Sequence, residues 1–165
     1  MTPSMAGFGL CVLRLAVAVM FVAHGSHNLF GMWPGPGVGP GGLQSTAAQY
    51  AGFGLHPEFL LATLAGITML VSGLLLGFGL LTRWAALSLV IYESIGIWKE
   101  HWKWGFFLNW TNTSGRGHGV EYSMVLVAAL LCVIVSGAGS WSLDGRRASH
   151  RASGAAGRAR LRGKM

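Results

Sequence analysis

The chain has 165 residues, of which 52% are hydrophobic and only 10% are charged, and its mean hydropathy is +0.51. A soluble domain of this size seldom has so few charges, so the composition argues against an ordinary soluble enzyme and indicates a membrane protein. A bilayer core of about 30 Å, crossed at about 1.5 Å per residue, needs about 20 apolar residues per helix. The chain has room for four such helices.

Four apolar segments follow one another along the chain, and each is long enough to cross a bilayer. They run over residues 8–30, 58–81, 84–102 and 120–139. The first lacks the basic flank of a cleavable signal peptide, because residues 1–10 contain no Lys or Arg. The sequence therefore predicts an all-α membrane protein, a bundle of four transmembrane helices formed by residues 1–145.

The connections between these segments differ in composition. The first, residues 31–57, contains the stretch W-P-G-P-G-V-G-P-G-G and is predicted to be a loop without helical periodicity. Only a short turn around Thr82 joins the second and third segments. The last connection, residues 99–119, is rich in Trp and Phe, which is typical of side chains at the interface between membrane and water.

A basic segment follows the last apolar segment. Residues 146–165 hold six Arg and one Lys among Ala, Ser and Gly, a composition that predicts disorder. Such charges attract anionic headgroups at about 1 kcal/mol each, so we expect the lipid bilayer rather than nucleic acid to be the partner of this tail. By the positive-inside rule the tail is cytoplasmic, and with four helices both termini face the cytoplasm.

Small residues within the apolar segments have packing roles. Cys11 and Cys132 lie in the first and fourth segments without any C-x-x-C motif, so we interpret them as packing residues and predict no dithiol relay. Gly73 and Gly77 form a GxxxG motif that allows another helix to approach closely. That helix belongs either to the same chain or to a second copy, so homo-oligomerisation stays open.

Two charged residues lie where hydrocarbon would surround them. Arg14 is about two turns into the first helix, and Glu93 is near the middle of the third. A charge in hydrocarbon costs several kcal/mol unless it is paired or hydrated. We therefore predict an intramembrane ion pair between Arg14 and Glu93, which either only orients the helices or leaves Glu93 to handle protons.

Histidines collect near the opposite, outer face. His24 and His27 end the first helix, His101 ends the third, and His118 and Glu121 open the fourth, so the topology brings them to similar depth. Histidine exchanges protons near neutral pH, whereas an H-x-x-H pair without further ligands is a weak metal pattern, and no metal is predicted. We predict a ligand-binding site formed by His24, His27, His118 and Glu121. The alternative is that these rings simply favour the interface.

The order and spacing of several short motifs resemble the DoxX family. From Leu13 to Asp144 these motifs read L-R-L, F-V-A-H-G-x-x-x-L-F, G-L-L-L-G-F-G-L-L-T-R-W-A-A, H-G-V-E-Y and G-A-G-S-W-S-L-D. The resemblance implies a small four-helix protein of the bacterial cytoplasmic (inner) membrane. It also implies relatives associated with quinone-linked oxidation of sulfur compounds, detoxification of reactive species and maturation of periplasmic redox enzymes. The matching polar residues are Arg14, His24, Arg83, Glu121 and Asp144.

The chain departs from the resembled pattern at two positions. The family often has a lysine where Asn28 stands, and a glutamate in the second segment where Met69 stands. Loss of that carboxylate removes one group from any family proton relay, unless Glu93 supplies the acid from the next helix.

Together these features predict a membrane subunit of a quinone-linked oxidoreductase that offers a quinone-facing or proton-handling surface. The sequence shows no cysteine pair, haem ligand set or nucleotide-binding loop, so we expect a partner chain to carry the redox centre, quinone to be the small-molecule ligand, and no cofactor to be covalently bound. The alternative is a non-enzymatic scaffold or assembly subunit of a larger membrane complex. A transporter is less favoured, because no inverted repeat is evident.

Overall fold

The computed structural model describes residues 5–33 and 39–151, which fold into helices and connecting loops with no strand among them. The helices are α1 (Met5–Phe30), α2 (Gly42–Gly52), α3 (Glu58–Phe78), α4 (Thr82–Gly96), α5 (Glu121–Ser136) and α6 (residues 143–151). A π-helical turn, Ile97–His101, and a 3-10 turn, Trp102–Trp104, continue α4. The predicted all-α fold is confirmed.

The four longest helices fall within or close to the four predicted segments. Both α1 and α3 are long and apolar enough to cross a bilayer. Helix α5 is apolar but has 16 residues, and α4 has 15 before its π-helical continuation. Helix α1 packs along α3, α4 packs along α5, and α3 also packs on α4. The contact between α3 and α4 therefore joins two helix pairs into one bundle.

Apolar side chains cover the outside of this bundle as well as its core. Leu76, Leu89 and Leu130 are fully buried between the helices. On the outer faces, Val19 is 68% exposed and Val135 is 79% exposed. An apolar outer surface is favourable when it faces lipid, which agrees with the membrane protein that the composition indicates.

Helix α2 lies in the connection for which the sequence predicts a loop, so that prediction was wrong. Thr46 and Ala47 are buried where α2 packs on α1 and α3. The Thr46 hydroxyl lies 3.0 Å from the carbonyl oxygens of Asn28 and Gly42. Tertiary contacts therefore stabilise a short helix whose own sequence has little helical periodicity.

Glycines bring α1 and α3 into backbone contact. A Cβ atom at Gly25 would lie 2.6 Å from the backbone nitrogen of Leu70, and one at Gly73 would lie 3.0 Å from that of Val22. A Cβ atom at Gly77 would also contact α1, at 3.5 Å. The GxxxG motif thus faces a helix of the same chain, as expected of small residues at helix interfaces in membranes.

Arg14 does not pair with Glu93, so the predicted ion pair is wrong. Its Nη1 donates to the carbonyl oxygen of Leu76 at 3.3 Å, and its Nη2 donates to that of Trp141 at 2.8 Å. The Arg14 side chain is 1% exposed and interacts with the negative end of the α3 dipole. Glu93 lies about 16 Å along α4 from Thr82, where α4 begins, so the two charges lie at different depths.

Helix α6 packs back on the turn between α3 and α4. The Asp144 carboxylate accepts hydrogen bonds from the Thr82 backbone nitrogen at 3.0 Å and from the Thr82 hydroxyl at 2.9 Å. The Asp144 backbone nitrogen donates to the carbonyl oxygen of Gly79 at 2.9 Å. Helix α6 includes the first residues of the segment for which we predict disorder, and residues 152–165 of that segment lie outside the described residues.

Candidate functional site

Two adjoining cavities lie at the end of the bundle that holds His27 and His118, which we call the cavity end. The polar cavity has a volume of about 550 Å³ and the apolar cavity about 440 Å³. Both fall in the range of about 300–1,000 Å³ that is usual for small-molecule sites. The residues that line both cavities are Asn28, Gln49, Tyr92 and Glu100. The two cavities therefore share one wall.

The polar cavity brings together three of the four residues predicted to bind a ligand. His24 and His27 line it from α1, and His118 lines it from the loop before α5. His101, at the end of the π-helical turn, is a fourth histidine of the lining. Because residues three apart share one face of a helix, His24 and His27 point to the same side of α1.

His27 is held in one orientation by the segment after α1. Its Nδ1 lies 2.8 Å from the carbonyl oxygen of Met32, and the side chain is only 8% exposed. A carbonyl only accepts, so Nδ1 carries the proton and Nε2 is an acceptor in the neutral ring. Gly41, with a φ of +63°, packs on this ring, and a Cβ atom there would lie 2.6 Å from Cε1. Any other residue at that position would displace His27.

The hydrogen bonds of His101 and His118 give these two rings opposite tautomers. Nδ1 of His101 lies 2.9 Å from the carbonyl oxygen of His118, so it donates and leaves Nε2 as an acceptor. Nδ1 of His118 accepts a hydrogen bond from the backbone nitrogen of Asn109 at 3.2 Å, so its Nε2 carries the proton when the ring is neutral. One cavity therefore has both acceptor and donor imidazole nitrogens in its lining.

The carboxyl group in the polar cavity is not the predicted one. Glu121 is absent from the lining, and its carboxylate instead accepts a hydrogen bond from the backbone nitrogen of Leu108 at 3.2 Å. Glu93 lines the cavity from α4, where it interacts with the Ser123 hydroxyl and lies close to His101. Glu121 therefore anchors the loop, and Glu93 is one of two acids, with Glu100, that line the cavity together with the histidines.

The loop between α4 and α5 is folded over the cavity end. The Asn109 side-chain nitrogen donates to the carbonyl oxygens of Thr113 at 3.0 Å and Arg116 at 2.8 Å. Where the loop returns to α5, a Cβ atom at Gly119 would collide with backbone oxygens of residues 105–107. These contacts hold His118 in the cavity lining.

Both positions at which the chain departs from the resembled pattern line the polar cavity. The Asn28 side-chain nitrogen lies 3.7 Å from the Met69 sulfur, so α1 and α3 meet there through a neutral pair. A lysine and a glutamate at these two positions would be close enough to pair. In this chain the charge of the cavity lining comes from Glu93, Glu100 and any protonated histidine.

The apolar cavity lies between α2, α3 and α4. Its apolar lining includes Leu61, Leu64, Ile91 and Ile95, together with Phe53 and Leu55 of the connection after α2. Tyr50 lines it from α2. Burial and the nearby Glu100 charge raise the pKa of Tyr50, against the opposing effect of its hydrogen bond with Tyr92. Tyr50 is therefore a neutral phenol at physiological pH.

Comparison with known proteins gives the family. The family model of DoxX matches residues 9–102. The chain belongs to the DoxX family. This DoxX protein is also 32% identical over 147 residues to an uncharacterized membrane protein of Mycobacterium tuberculosis, Rv3486, with 87% of this chain and 83% of that protein covered. No solved structure matches it significantly. The family identified from the short motifs is thus confirmed, and the protein is a membrane protein.

The DoxX match covers only part of the polar cavity. His24, His27 and Glu93 lie within the matched residues, whereas His118 lies beyond them. Helix α2 also contributes to the polar cavity, through Ser45 and Gln49, which the motifs in the sequence do not indicate. These two residues are four positions apart, so their shared helical face was the signal that could have revealed it.

Proposed function

We propose that this DoxX protein binds the headgroup of a quinone or quinol in the polar cavity, as a membrane subunit of a quinone-linked oxidoreductase whose redox centre lies on a partner chain. The observation that carries the proposal is the presence, in one cavity, of acceptor and donor imidazole nitrogens and a carboxyl group. When bound, a quinone supplies two-electron, two-proton redox chemistry. The residues of this chain would bind the headgroup and exchange its protons.

The histidine tautomers suit both redox forms of such a headgroup. Nε2 of His27 and of His101 can accept a hydrogen bond from a hydroxyl group, and Nε2–H of His118 can donate one to a carbonyl group. His24 is exposed and lines the cavity, so its imidazole nitrogens add to the hydrogen-bonding groups available to a bound headgroup. Glu93 can hold a proton beside His101.

The distribution of basic residues supports one orientation of the bundle in the membrane, and this orientation is part of the same proposal. The end of the bundle opposite the cavity end carries Arg83 and the basic residues of α6, and the basic tail follows α6 in sequence. The cavity end carries Lys99, Lys103 and Arg116. By the positive-inside rule, the cavity end then lies on the outer side of the bacterial inner membrane, with both termini in the cytoplasm.

A second candidate function is that of a non-enzymatic scaffold or assembly subunit. The observation that favours it is a set of exposed aromatic side chains at the cavity end: Trp98, Trp102, Phe107 and Trp110. Aromatic side chains are favoured at protein interfaces and equally at the membrane surface. A scaffold would need these surfaces but not the cavity.

The experiment that separates the two functions replaces His24 and Glu93 singly by Gln in the native host. His56→Gln is the matched control, because His56 lines neither cavity and pairs with Glu58 at the surface. Quinone-dependent turnover of the copurified complex is compared with the abundance of that complex. Positioned general acid and base groups contribute about 10²–10⁴-fold to rate, so we expect turnover to fall by about 10²-fold at normal abundance.

Two results would contradict the proposed function. A parallel fall in turnover and abundance would mean that these residues only hold the complex together, which supports the scaffold. Unchanged turnover in both Gln variants would mean that the cavity takes no part in the reaction.

A further inference from the structure

The apolar cavity is lined by exposed apolar side chains of α3 and α4. Among its lining residues, Leu64 is 52% exposed, Ile91 is 55% exposed and Ile95 is 47% exposed. Exposed apolar side chains on bilayer-crossing helices contact lipid chains. A hydrophobic ligand can therefore pass from the bilayer into this cavity without crossing water.

An amphipathic ligand that crosses the wall shared by the two cavities would have its polar head in the polar cavity and its tail in the apolar cavity. Asn28, Gln49 and Tyr92 line both cavities, so their polar groups lie where a polar head would meet an apolar tail. Beyond this wall the polar cavity contains the histidines and Glu93 among apolar side chains such as Phe21 and Leu126, and the apolar cavity contains mainly aliphatic and aromatic side chains. A molecule with a compact polar head and a long hydrocarbon tail matches this division.

The charges of the lining favour a neutral head over an anionic one. Within the described part of the chain, the polar cavity is lined by two carboxyl groups, Glu93 and Glu100, and by no Lys or Arg. The cation at the apolar cavity, Lys99, lies next to Glu100 in sequence and stacks on the Trp98 ring at 4.3 Å. A phospholipid phosphate would need a cationic site, whereas a quinone head is uncharged.

We propose that the apolar cavity holds the isoprenoid tail of the quinone whose head occupies the polar cavity, so that the protein selects long-chain, membrane-borne quinones over tail-less ones. This inference rests on the proposed function and adds the part of the ligand that determines specificity. Because hydrophobic burial grows with the apolar area removed from water, a tail in this cavity strengthens binding without any new polar contact.

Filling the apolar cavity tests the inference. Gly96 lines only this cavity, and nothing lies within 4 Å of a Cβ atom built there, so Gly96→Phe adds bulk without an immediate clash. Gly9→Phe is the matched control, because Gly9 is also a helical glycine with open space and lines neither cavity. Ala65→Leu, from α3, is a second filling variant in case Gly96→Phe does not fold.

Each protein is reconstituted in nanodiscs, and the affinity is measured for menadione and for the same naphthoquinone ring carrying a four-isoprene tail. We expect the wild type and Gly9→Phe to bind the tailed probe at least about tenfold more tightly, or about 1.4 kcal/mol. Gly96→Phe should lose that preference and keep its affinity for menadione, which also shows that the variant is folded.

The outcomes separate the two proposals. If Gly96→Phe and Ala65→Leu keep the preference for the tailed probe, or if they release a copurified phospholipid instead, the tail site is refuted while headgroup binding stands. If menadione does not bind the wild type, or if Glu93→Gln leaves its binding unchanged, the proposed function fails, and the tail inference fails with it.

Discussion

Replacement of Arg14 by Met should lower the free energy of unfolding by about 2–3 kcal/mol, as worked from its hydrogen bonds. A hydrogen bond from a charged donor contributes about 1.5–3 kcal/mol, so the bonds to the carbonyl oxygens of Leu76 and Trp141 account for roughly 3–6 kcal/mol. Part of this is offset, because Nε of Arg14 is buried without a hydrogen-bond partner among the described residues, which costs about 1–3 kcal/mol.

The assay is equilibrium unfolding of detergent-solubilised protein by SDS, followed by circular dichroism. Arg14→Lys should recover about half of the loss, because a single ammonium group cannot bridge two carbonyl oxygens as the planar guanidinium does. Glu93→Gln should change stability by less than about 0.5 kcal/mol, and its effect should add to that of Arg14→Met. If Arg14→Met is as stable as the wild type, the hydrogen bonds of Arg14 do not stabilise the fold. A coupling energy above about 1 kcal/mol between Arg14 and Glu93 would show that these two residues do interact.

Two further predictions concern helix contacts. Gly25→Ala should destabilise the protein by about 1–3 kcal/mol in the same assay, because its Cβ atom would press on the α3 backbone. The control Gly9→Ala should not destabilise it. Equal effects of the two substitutions would argue against close packing of α1 on α3. Burial raises the pKa of Asp144, but hydrogen bonds from Thr82 and Leu81 and the charge of Arg147 lower it overall. The ionised Asp144 carboxylate should contribute about 1 kcal/mol to the free energy of unfolding, as a helix cap does. This contribution is complete above the unfolded-state pKa of about 4 and is lost as pH falls through the lower folded-state pKa. The free energy of unfolding of Asp144→Ala should be lower than that of the wild type at pH 7, and the two values should converge in acid. A difference that stays constant with pH would contradict this cause.

The sequence predicted the long helices well because their signal is local. The apolar pattern predicts helices over residues 8–30 and 58–81, and α1 and α3 span Met5–Phe30 and Glu58–Phe78. Their apolar composition is enough to define them, since a bilayer-crossing helix satisfies its own backbone hydrogen bonds. The sequence does not predict helix α2, because this helix is short, has glycine at both ends and is stabilised mainly by packing on α1 and α3.

The candidate site was only partly predictable, because depth along the bundle can be inferred from sequence but lateral neighbours cannot. Depth alone grouped His24, His27 and His118, and the structure brings these three into one cavity. The sequence places Glu121 beside the histidines and Glu93 near the middle of the third helix, whereas in the structure Glu121 bonds a loop nitrogen and Glu93 lines the cavity with the histidines. The ion-pair prediction failed for a related reason, since charge complementarity does not reveal that backbone carbonyl oxygens already surround Arg14.

The central claim is that the polar cavity binds a quinone headgroup. Photo-crosslinking with an azido derivative of menadione (2-methyl-1,4-naphthoquinone), followed by mass spectrometry of the labelled peptides, tests it most directly. If the polar cavity binds the headgroup, adducts should form on α1 at His24, His27 and Asn28 and on α4 at Tyr92 and Glu93, which all line the cavity. Excess menadione should suppress these adducts, and His24→Gln should reduce them. Adducts that are confined to the lipid-facing surfaces of the helices and that excess menadione does not suppress would contradict a quinone site in this protein.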